Sequence, residues 1–339
     1  MHHLDNQLDN PGRLHYENEK EMANIVAGSM NSLVSIIIPM YNASNTVERA
    51  LKSVMAQTYK PLEILVIDDG SIDGSVEIVE SLGFQDLRLV KLGRHSGVAH
   101  ARNVGVGLAT GTFIAFLDAD DEWLPDKTQR QIDILANSSD MSLLACGFRY
   151  VSCIQSQPDI INLGREPVTG RNAWKTLLAY SFVATPCVMT RKTTILKAGR
   201  FNESLPVAED QDLWIRLARE GTVGFINQEL TICYETQNSL SKRHASKATN
   251  VTLSLIKNHV AMLADELTTS ERRRIFARRY SDCGRGEYVA GSRRYGAILI
   301  LRAILSGHAP LENIAYLIFA NPMVRRIKKL VHPRKYADT

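Results

Sequence analysis

An α/β fold with a mostly parallel sheet, helices on both faces and a helical segment behind it is predicted by three observations. Apolar runs of strand length alternate with segments of helical periodicity between Leu33 and Leu117. The runs are continuously apolar, as strands buried on both faces are, rather than alternating apolar with polar. Beyond residue 245 only helical spacing recurs, through Leu253, Ile256, Val260, Leu263 and Leu267.

Leu33 to Pro39, with Ile36, Ile37 and Ile38 at its centre, reads as the first strand, stopped by Pro39-Met40-Tyr41-Asn42. A helix capped by Asn42, Ser44 or Asn45 follows, with Val47, Ala50, Leu51 and Val54 on its apolar face. Leu62 to Ile67 is the second strand and runs into Asp68-Asp69-Gly70-Ser71. Ser71 or Asp73 caps the next helix, Leu87 to Lys91 is a third strand, and Val98 to Leu108 is a helix of small residues. Phe113 to Leu117 is the fourth strand, and it ends in Asp118, Asp120 and Asp121. After it come a helix with Ile132 and Leu135, a strand from Met141 to Tyr150, a loop over 155–170 and a helix from Asn172 to Ser181. Leu213, Trp214 and Leu217 form the face of a further helix, and Val223 to Tyr234 reads as one or two edge strands. Tyr234 to Ser241, with His244 behind it, is polar enough for a mobile flap.

With 339 residues, 45% of them apolar, the chain can bury a large α/β core. Its five cysteines are odd in number and form no CxxC, so ordinary thiols are expected, Cys187 among them as a buried one. The start lacks a basic region followed by an apolar core, so no secretory signal is expected, and residues 1–31 read as a flexible polar lead. The net charge of +4 is unevenly spread: Glu271 to Thr339 holds 15 Lys and Arg against 5 Asp and Glu, while the remainder holds 25 against 31. The basic end fits an anionic membrane surface, a nucleic acid or an acidic partner, and charge alone does not choose.

Ligands of parallel α/β sheets sit beyond the carboxyl ends of the strands. Tyr41, Asp68, Asp69 and Asp118 to Asp121 all fall there. If strand geometry persists, Asp118 and Asp120 share a face and suit a hard divalent cation with sites left for phosphate oxygens. An acidic cap facing water is the other reading. Asp68 and Asp69 fit either contacts to a base and ribose or a helix-capping turn. Glu209 and Asp210 open a helix, where acids also favour the dipole. No GxGxxG follows the first strand and no GxxxxGK[ST] occurs, which removes the dinucleotide and P-loop fingerprints.

Six stretches in order resemble the family 2 glycosyltransferases: Val34 to Asn42, Ser53 to Thr58, Val66 to Ser71 with Asp73-Gly74, Gly97 to Gly105, Phe116 to Asp121, and Ala208 to Leu217. The resemblance covers roughly residues 33–240. It implies the GT-A fold, a Rossmann-like α/β/α sandwich over residues 32–240, followed by a basic helical region over 245–339. By resemblance Pro39, Tyr41, Asn42, Asp68, Asp69, Arg102, Asn103 and Asp118 border the nucleotide of a sugar donor. Asp120 binds Mn²⁺ or Mg²⁺, Asp210 is the general base, and Pro186 and Glu209 line the acceptor cleft. Asp212 is expected to orient the helix start, and Arg216 and Arg219 to be solvated. His95, where relatives often have Asn, and His244 receive no role.

The resemblance further implies an inverting transfer from a nucleoside-diphosphate sugar, a UDP-sugar first, to a glycan or lipid-linked envelope polysaccharide precursor. The chemistry agrees, because a divalent cation neutralises a leaving diphosphate and the acceptor hydroxyl needs a base on the opposite face of the sugar. A non-catalytic nucleotide-sugar binding protein and a sugar nucleotidyltransferase share the fold; the latter normally has a Gly-rich basic loop after the first strand, which Pro39 to Asn42 is not. A cytoplasmic protein is expected, in peripheral contact with anionic membrane through residues beyond 270 or simply capped by them, with no nucleic-acid partner.

Overall fold

In a computed structural model of the chain, residues 32–152, 160–162, 169–235, 245–307 and 309–319 are described. The first half supplies four parallel strands, β1 (Val34–Met40), β2 (Leu62–Asp68), β3 (Leu87–Lys91) and β4 (Phe113–Phe116), in the order β3-β2-β1-β4. Helices α1 (Val47–Met55), α2 (Ser75–Ser81) and α3 (Val98–Leu108) connect them. Successive strand side chains alternate faces. Val34, Ile36 and Ile38 therefore join the core under α1, and Ile37 joins the opposite core with Ala101 and Val106 of α3. This two-sided burial is why the strands read as unbroken apolar runs.

The second half adds β5 (Glu122–Trp123), α4 (Lys127–Leu135), β6 (Met141–Val151), β7 (Ile160–Asn162), α5 (Ala173–Ala179), β8 (Met189–Arg191), α6 (Lys192–Lys197), α7 (Glu209–Glu220) and β9 (Thr222–Tyr234). The sheet continues from β4 as β8-β6-β9-β5, with β7 beside β6, nine strands in all. β8 runs antiparallel to both β4 and β6, β6 runs parallel to β9, and β5 runs antiparallel to β9. The mostly parallel character that was expected holds for the first four strands, while the second half is mixed.

Several local expectations change. β9 is one strand of 13 residues lying between β6 and β5, not an edge. β7 occupies part of the expected 155–170 loop, and β5, β8 and α6 are too short to show a period. The first helix starts at Val47 without a side-chain cap. The backbone N–H groups of Asn42, Ala43 and Ser44 instead donate across space to Ser71 Oγ, Ser75 Oγ and Asp73 Oδ2. The Asp-Gly-Ser loop therefore stitches two strand ends together rather than simply capping its own helix, whose N-cap is Gly74.

The helical end comprises α8 (Ala245–Met262), α9 (Thr269–Val289), α10 (Arg293–Leu305) and α11 (Pro310–Phe319). Ile256, Val260, Leu263, Leu267 and Ile275 belong to the same core as Leu177 of α5 and Leu213, Trp214 and Leu217 of α7. Thr268 and Glu271 form a reciprocal capping box at the start of α9. The arginine-rich stretch is not uniformly solvated: Arg279 is buried and donates to the Leu177 and Leu178 carbonyls near the end of α5. Lys175 and Glu271 form an ion pair at 2.7 Å between the same two helices. Among the described residues no helix is long and apolar enough to cross a membrane. The expected polar lead, the flap beyond Glu235 with His244, and the basic residues after 319 lie outside the described residues.

Candidate active site

The carboxyl ends of β1, β2 and β4 open toward the N-terminal ends of α3 and α7, and the candidate residues gather between them. Gly105 of α3 makes this geometry possible. A Cβ there would stand 2.4 Å from Ile37 Cγ2, so only glycine lets α3 lie this close to β1. One turn earlier on the same helix, Arg102 is then carried to the strand ends.

Arg102 is 4% exposed. Its guanidinium donates to Asp118 Oδ1 at 2.8 Å and to Glu209 Oε1 at 2.8 Å. Burial opposes the guanidinium charge, but Asp118 and Glu209 outweigh it and hold the pKa above its usual value. One buried cation therefore joins the acid at the end of β4 to the acids that open α7. The Arg102–Asp118 and Arg102–Glu209 contacts lie far apart in sequence, and only the sheet brings them together.

Asp210 is partly buried beside Glu209. Burial, then the Glu209 charge, lift its carboxyl to about 6, with Arg102 pulling the other way and Asp118 adding to the rise. Its Oδ1 accepts the Gln211 N–H at 2.7 Å, and Thr185 Oγ1 stands 3.4 Å from Oδ2. Just before the pair, Ala208 holds a left-handed conformation at φ 62°, rare for a residue with a Cβ. Backbone strain of this kind gathers where a fold holds functional groups in place.

At the end of β4 the strand geometry does not persist. The chain turns, with Asp121 N–H donating to the Asp118 carbonyl at 3.1 Å, so Asp118 and Asp120 are not related by a strand repeat. Asp121 is buried and accepts the Tyr234 N–H at 3.0 Å. Burial, then the charges of Asp118 and Asp120, raise its pKa well above the usual carboxylate range. Arg49 donates to the Asp120 carbonyl and stacks 3.7 Å over the Tyr234 ring. Among the described residues no three His, Cys, Asp or Glu side chains form a group able to hold a metal ion. One acid-rich turn with few protein ligands fits a hard cation that completes its shell with phosphate oxygens and water, as Mg²⁺ does at nucleotide sites, rather than one held in an all-protein cage.

At the ends of β1 and β2, Asp68 is buried and one of its oxygens accepts the Ser71 N–H at 3.1 Å. Pro39 lies in β1 and Tyr41 just beyond it, 45% exposed, with its ring 4.0 Å from that of His95 and nearly parallel to it. Asn42 Oδ1 accepts the Ile72 N–H, and Asn42 itself adopts φ 49°. Two of the expected site residues make several bonds within the protein. Asp69 spends both oxygens on the Ser96 and Gly97 N–H groups and lies 2.8 Å from His95 Nδ1. Asn103 clamps the Phe201 backbone on both sides and reaches Glu203 Oε1 at 2.7 Å. Both side chains thereby fix the loops around the strand ends.

Near the start of α7, Pro186 is buried and its carbonyl accepts Trp123 Nε1 at 2.8 Å. Gln131 Nε2 donates to the Cys187 carbonyl at 2.8 Å, so the turn is fixed from below and it is Thr185, not Pro186, that meets Asp210. Cys187 is fully buried. Asp212, expected to orient the helix start, accepts from Arg216 and lies 2.8 Å from the buried His259 of α8. Arg216 also donates to the Ala198 and Arg200 carbonyls and is half-buried, so it is not a solvated arginine, whereas Arg219 is exposed as expected and pairs with Glu266 at the surface. Sequence reasoning missed Arg49 and the part played by His95, and within the acceptor-cleft segment it named Pro186 rather than Thr185. Arg49 looks like any helix-surface arginine and Thr185 has no local mark, while His95 drew notice only as a departure.

A family profile described as Glycosyl transferase family 2 matches residues 35–194. A glucosyltransferase of Escherichia coli named WfgD, UDP-Glc:alpha-D-GlcNAc-diphosphoundecaprenol beta-1,3-glucosyltransferase, is 32% identical over 200 residues, 58% of this chain and 73% of that protein. The chain belongs to glycosyl transferase family 2. A Rickettsia conorii protein named as an uncharacterised glycosyltransferase is 32% identical over 221 residues, 64% of this chain. The chain spans only 35% of that relative's length. The structure of S. aureus TarS 1-349 in complex with UDP superposes with a TM-score of 0.53 at 18% identity, covering 86% of this chain and 91% of TarS. That likeness shows the GT-A fold. The family profile ends before Glu209 and Asp210, so the acids of α7 enter the site by geometry.

Proposed function

We propose that this family 2 chain transfers a sugar from a nucleoside-diphosphate sugar, a UDP-sugar first, to a hydroxyl of a lipid-linked envelope glycan precursor, with inversion at the anomeric carbon. The observation that carries this is the line Asp118–Arg102–Glu209–Asp210, which places a carboxyl with pKa about 6 opposite the acidic turn of β4. A base with a pKa near the working pH takes a hydroxyl proton most effectively. The name of the Escherichia coli relative, with its UDP-glucose donor and diphosphoundecaprenol acceptor, supports the choice of substrates.

In the proposed reaction Asp210 accepts the proton of the acceptor hydroxyl as that oxygen bonds to the anomeric carbon. The carbon's bond to the diphosphate breaks on the opposite side, and its electron pair leaves with the phosphate. No covalent sugar–protein intermediate forms, so an α-linked donor yields a β-linked product. Tyr41 and Asp68 hold the base, Asp118 the ribose, and Arg102 keeps Asp118 and Glu209 fixed, one cation between two carboxylates. Asp120, with the acid turn around it, would hold Mn²⁺ or Mg²⁺, which when bound supplies positive charge to the leaving diphosphate. Residues 32–240 form the catalytic unit in this reading and 245–339 its basic helical extension.

The test is product NMR with an α-linked donor drawn from a panel of nucleotide sugars. A β-linkage is expected, and retention overturns the mechanism. Titration of UDP with Mn²⁺ should weaken in Asp120→Asn and stay near normal in Asp210→Asn. The reverse pattern would exchange the two assignments. Saturable UDP binding with no transfer to any acceptor would favour the non-catalytic reading.

A further inference from the structure

α10 carries apolar residues on its outer side as well as on the side it buries. Its inner face packs on α9 through Gly296, Leu299, Ile300 and Ala303, all buried. The two helices touch at backbone distance, because a Cβ on Gly296 would stand 2.7 Å from the Gly284 carbonyl oxygen. This close approach fixes which way α10 is turned. Ile298, Leu301 and Leu305 are consequently left outside, 50%, 50% and 80% exposed. Their spacing of three and four residues puts them on one stripe. Leu311 of the neighbouring α11 is 81% exposed as well.

The charge on α10 itself has one sign, while Glu312 stands beside Leu311 on α11. α10 contains no acidic residue, and Arg294 lies four residues before Ile298 on the same face. Arg302 flanks Leu301 and is exposed. Arg273 of α9 donates to the Leu305 and Ser306 carbonyls, which sets a third cation at the far end. An apolar stripe bounded by arginines matches a surface that is apolar below and anionic above, which is a bilayer with acidic headgroups. At 13 residues α10 is too short to span one.

We propose that this outer face of α10, Ile298, Leu301 and Leu305 with Arg294, Arg302 and Arg273, docks the chain on an anionic membrane. A protein whose acceptor is anchored in lipid then works where that acceptor lies. The inference takes its purpose from the proposed lipid-linked acceptor, but its test needs neither donor nor acceptor.

Full-length chain is sedimented with vesicles of phosphatidylcholine alone, or with roughly a third phosphatidylglycerol. It should pellet with the anionic vesicles only, and release in about 0.5 M salt, where screening shortens to a few ångströms. The triple change Ile298→Ser, Leu301→Ser, Leu305→Ser should abolish pelleting with an unchanged thermal melt, since these side chains are exposed. Arg294→Ala with Arg302→Ala should weaken vesicle affinity about fivefold per arginine. Transfer to a water-soluble acceptor analogue should be unaffected in both variants, which separates a failure of this inference from a failure of the proposed reaction. Intact chain that stays in the supernatant with anionic vesicles, or variants that pellet as well as it does, overturn the proposal. So does a solution dimer, measured by light scattering, that falls to monomer in the triple variant without any vesicle binding, because the stripe then joins two copies.

Discussion

The ends of β1 and β2 and the start of α7, the donor and acceptor sides of the proposed reaction, use polar residues in opposite ways. At the ends of β1 and β2 almost every polar atom is spent on the protein itself. Asp69 holds the Ser96–Gly97 turn, Asp73 holds Ser44 and Ser75, and Ser71 holds Asn42. Such a site is organised before anything binds, and binding it costs little reordering. At the start of α7, by contrast, Asp210 has one short bond to its own backbone neighbour and a long one to Thr185. Its surroundings push its pKa up instead of down. In the proposed reaction a donor pocket gains from groups that are already satisfied, whereas a base gains from one that is not. Arg102 lies on the seam and serves both.

The sharpest way to break this comparison is Asp210→Asn. If the two halves are separable, transfer falls roughly 10²–10⁴-fold while UDP affinity is nearly unchanged. A parallel loss of UDP binding, seen by calorimetric titration, would mean that the acid belongs to the donor side. Arg102→Met comes next and should damage both halves together. Removing the cation leaves Asp118 and Glu209 without their buried partner, at a cost of about 3–5 kcal/mol in urea unfolding. A loss under about 1 kcal/mol would show that the two acids find other partners.

The pH dependence sharpens the acceptor side alone. Asp210 must be ionised to accept a proton, so turnover should rise with pH through a limb near the value of about 6 that its surroundings impose. The Glu209 charge helps to raise that value, so Glu209→Gln should move the limb to lower pH. A limb that stays in place in that variant would assign the titration to another group. The smallest expected effect is Thr185→Val. Its hydroxyl stands 3.4 Å from Asp210, so losing it should change turnover by no more than about fivefold, the worth of a weak hydrogen bond. A larger loss in the transfer assay would make Thr185 a principal positioning residue.

Much of the fold was legible beforehand because its cause is local. Continuous apolar runs at Val34–Met40, Leu62–Asp68 and Phe113–Phe116 are buried on both faces, and helical spacing marked α1, α3 and α8. The mixed second half was not legible, because β5 and β8 have two and three residues and no period can be read from so few. β9 was taken for an edge because its sequence resembles one; whether a strand is central depends on its neighbours, here β6 and β5.

The chain's own order of residues determined the strand-and-helix succession, the acids at the strand ends, Asp210 at the head of α7 and the basic bias of the C-terminal part. Those features are written in composition and short-range spacing. Tertiary structure alone decided which acids are answered and which are not. Asp69 and Asn103 turned inward, Asp118 and Glu209 met on Arg102 across 16 and 107 residues of chain, and Thr185 took the place beside Asp210. It also decided that Ile298, Leu301 and Leu305 face outward, since the glycine contact between α9 and α10 sets the rotation of the helix. The physical reason is that a charge or an apolar side chain acts through its burial and its partners, and in a folded chain those are set by residues distant in sequence.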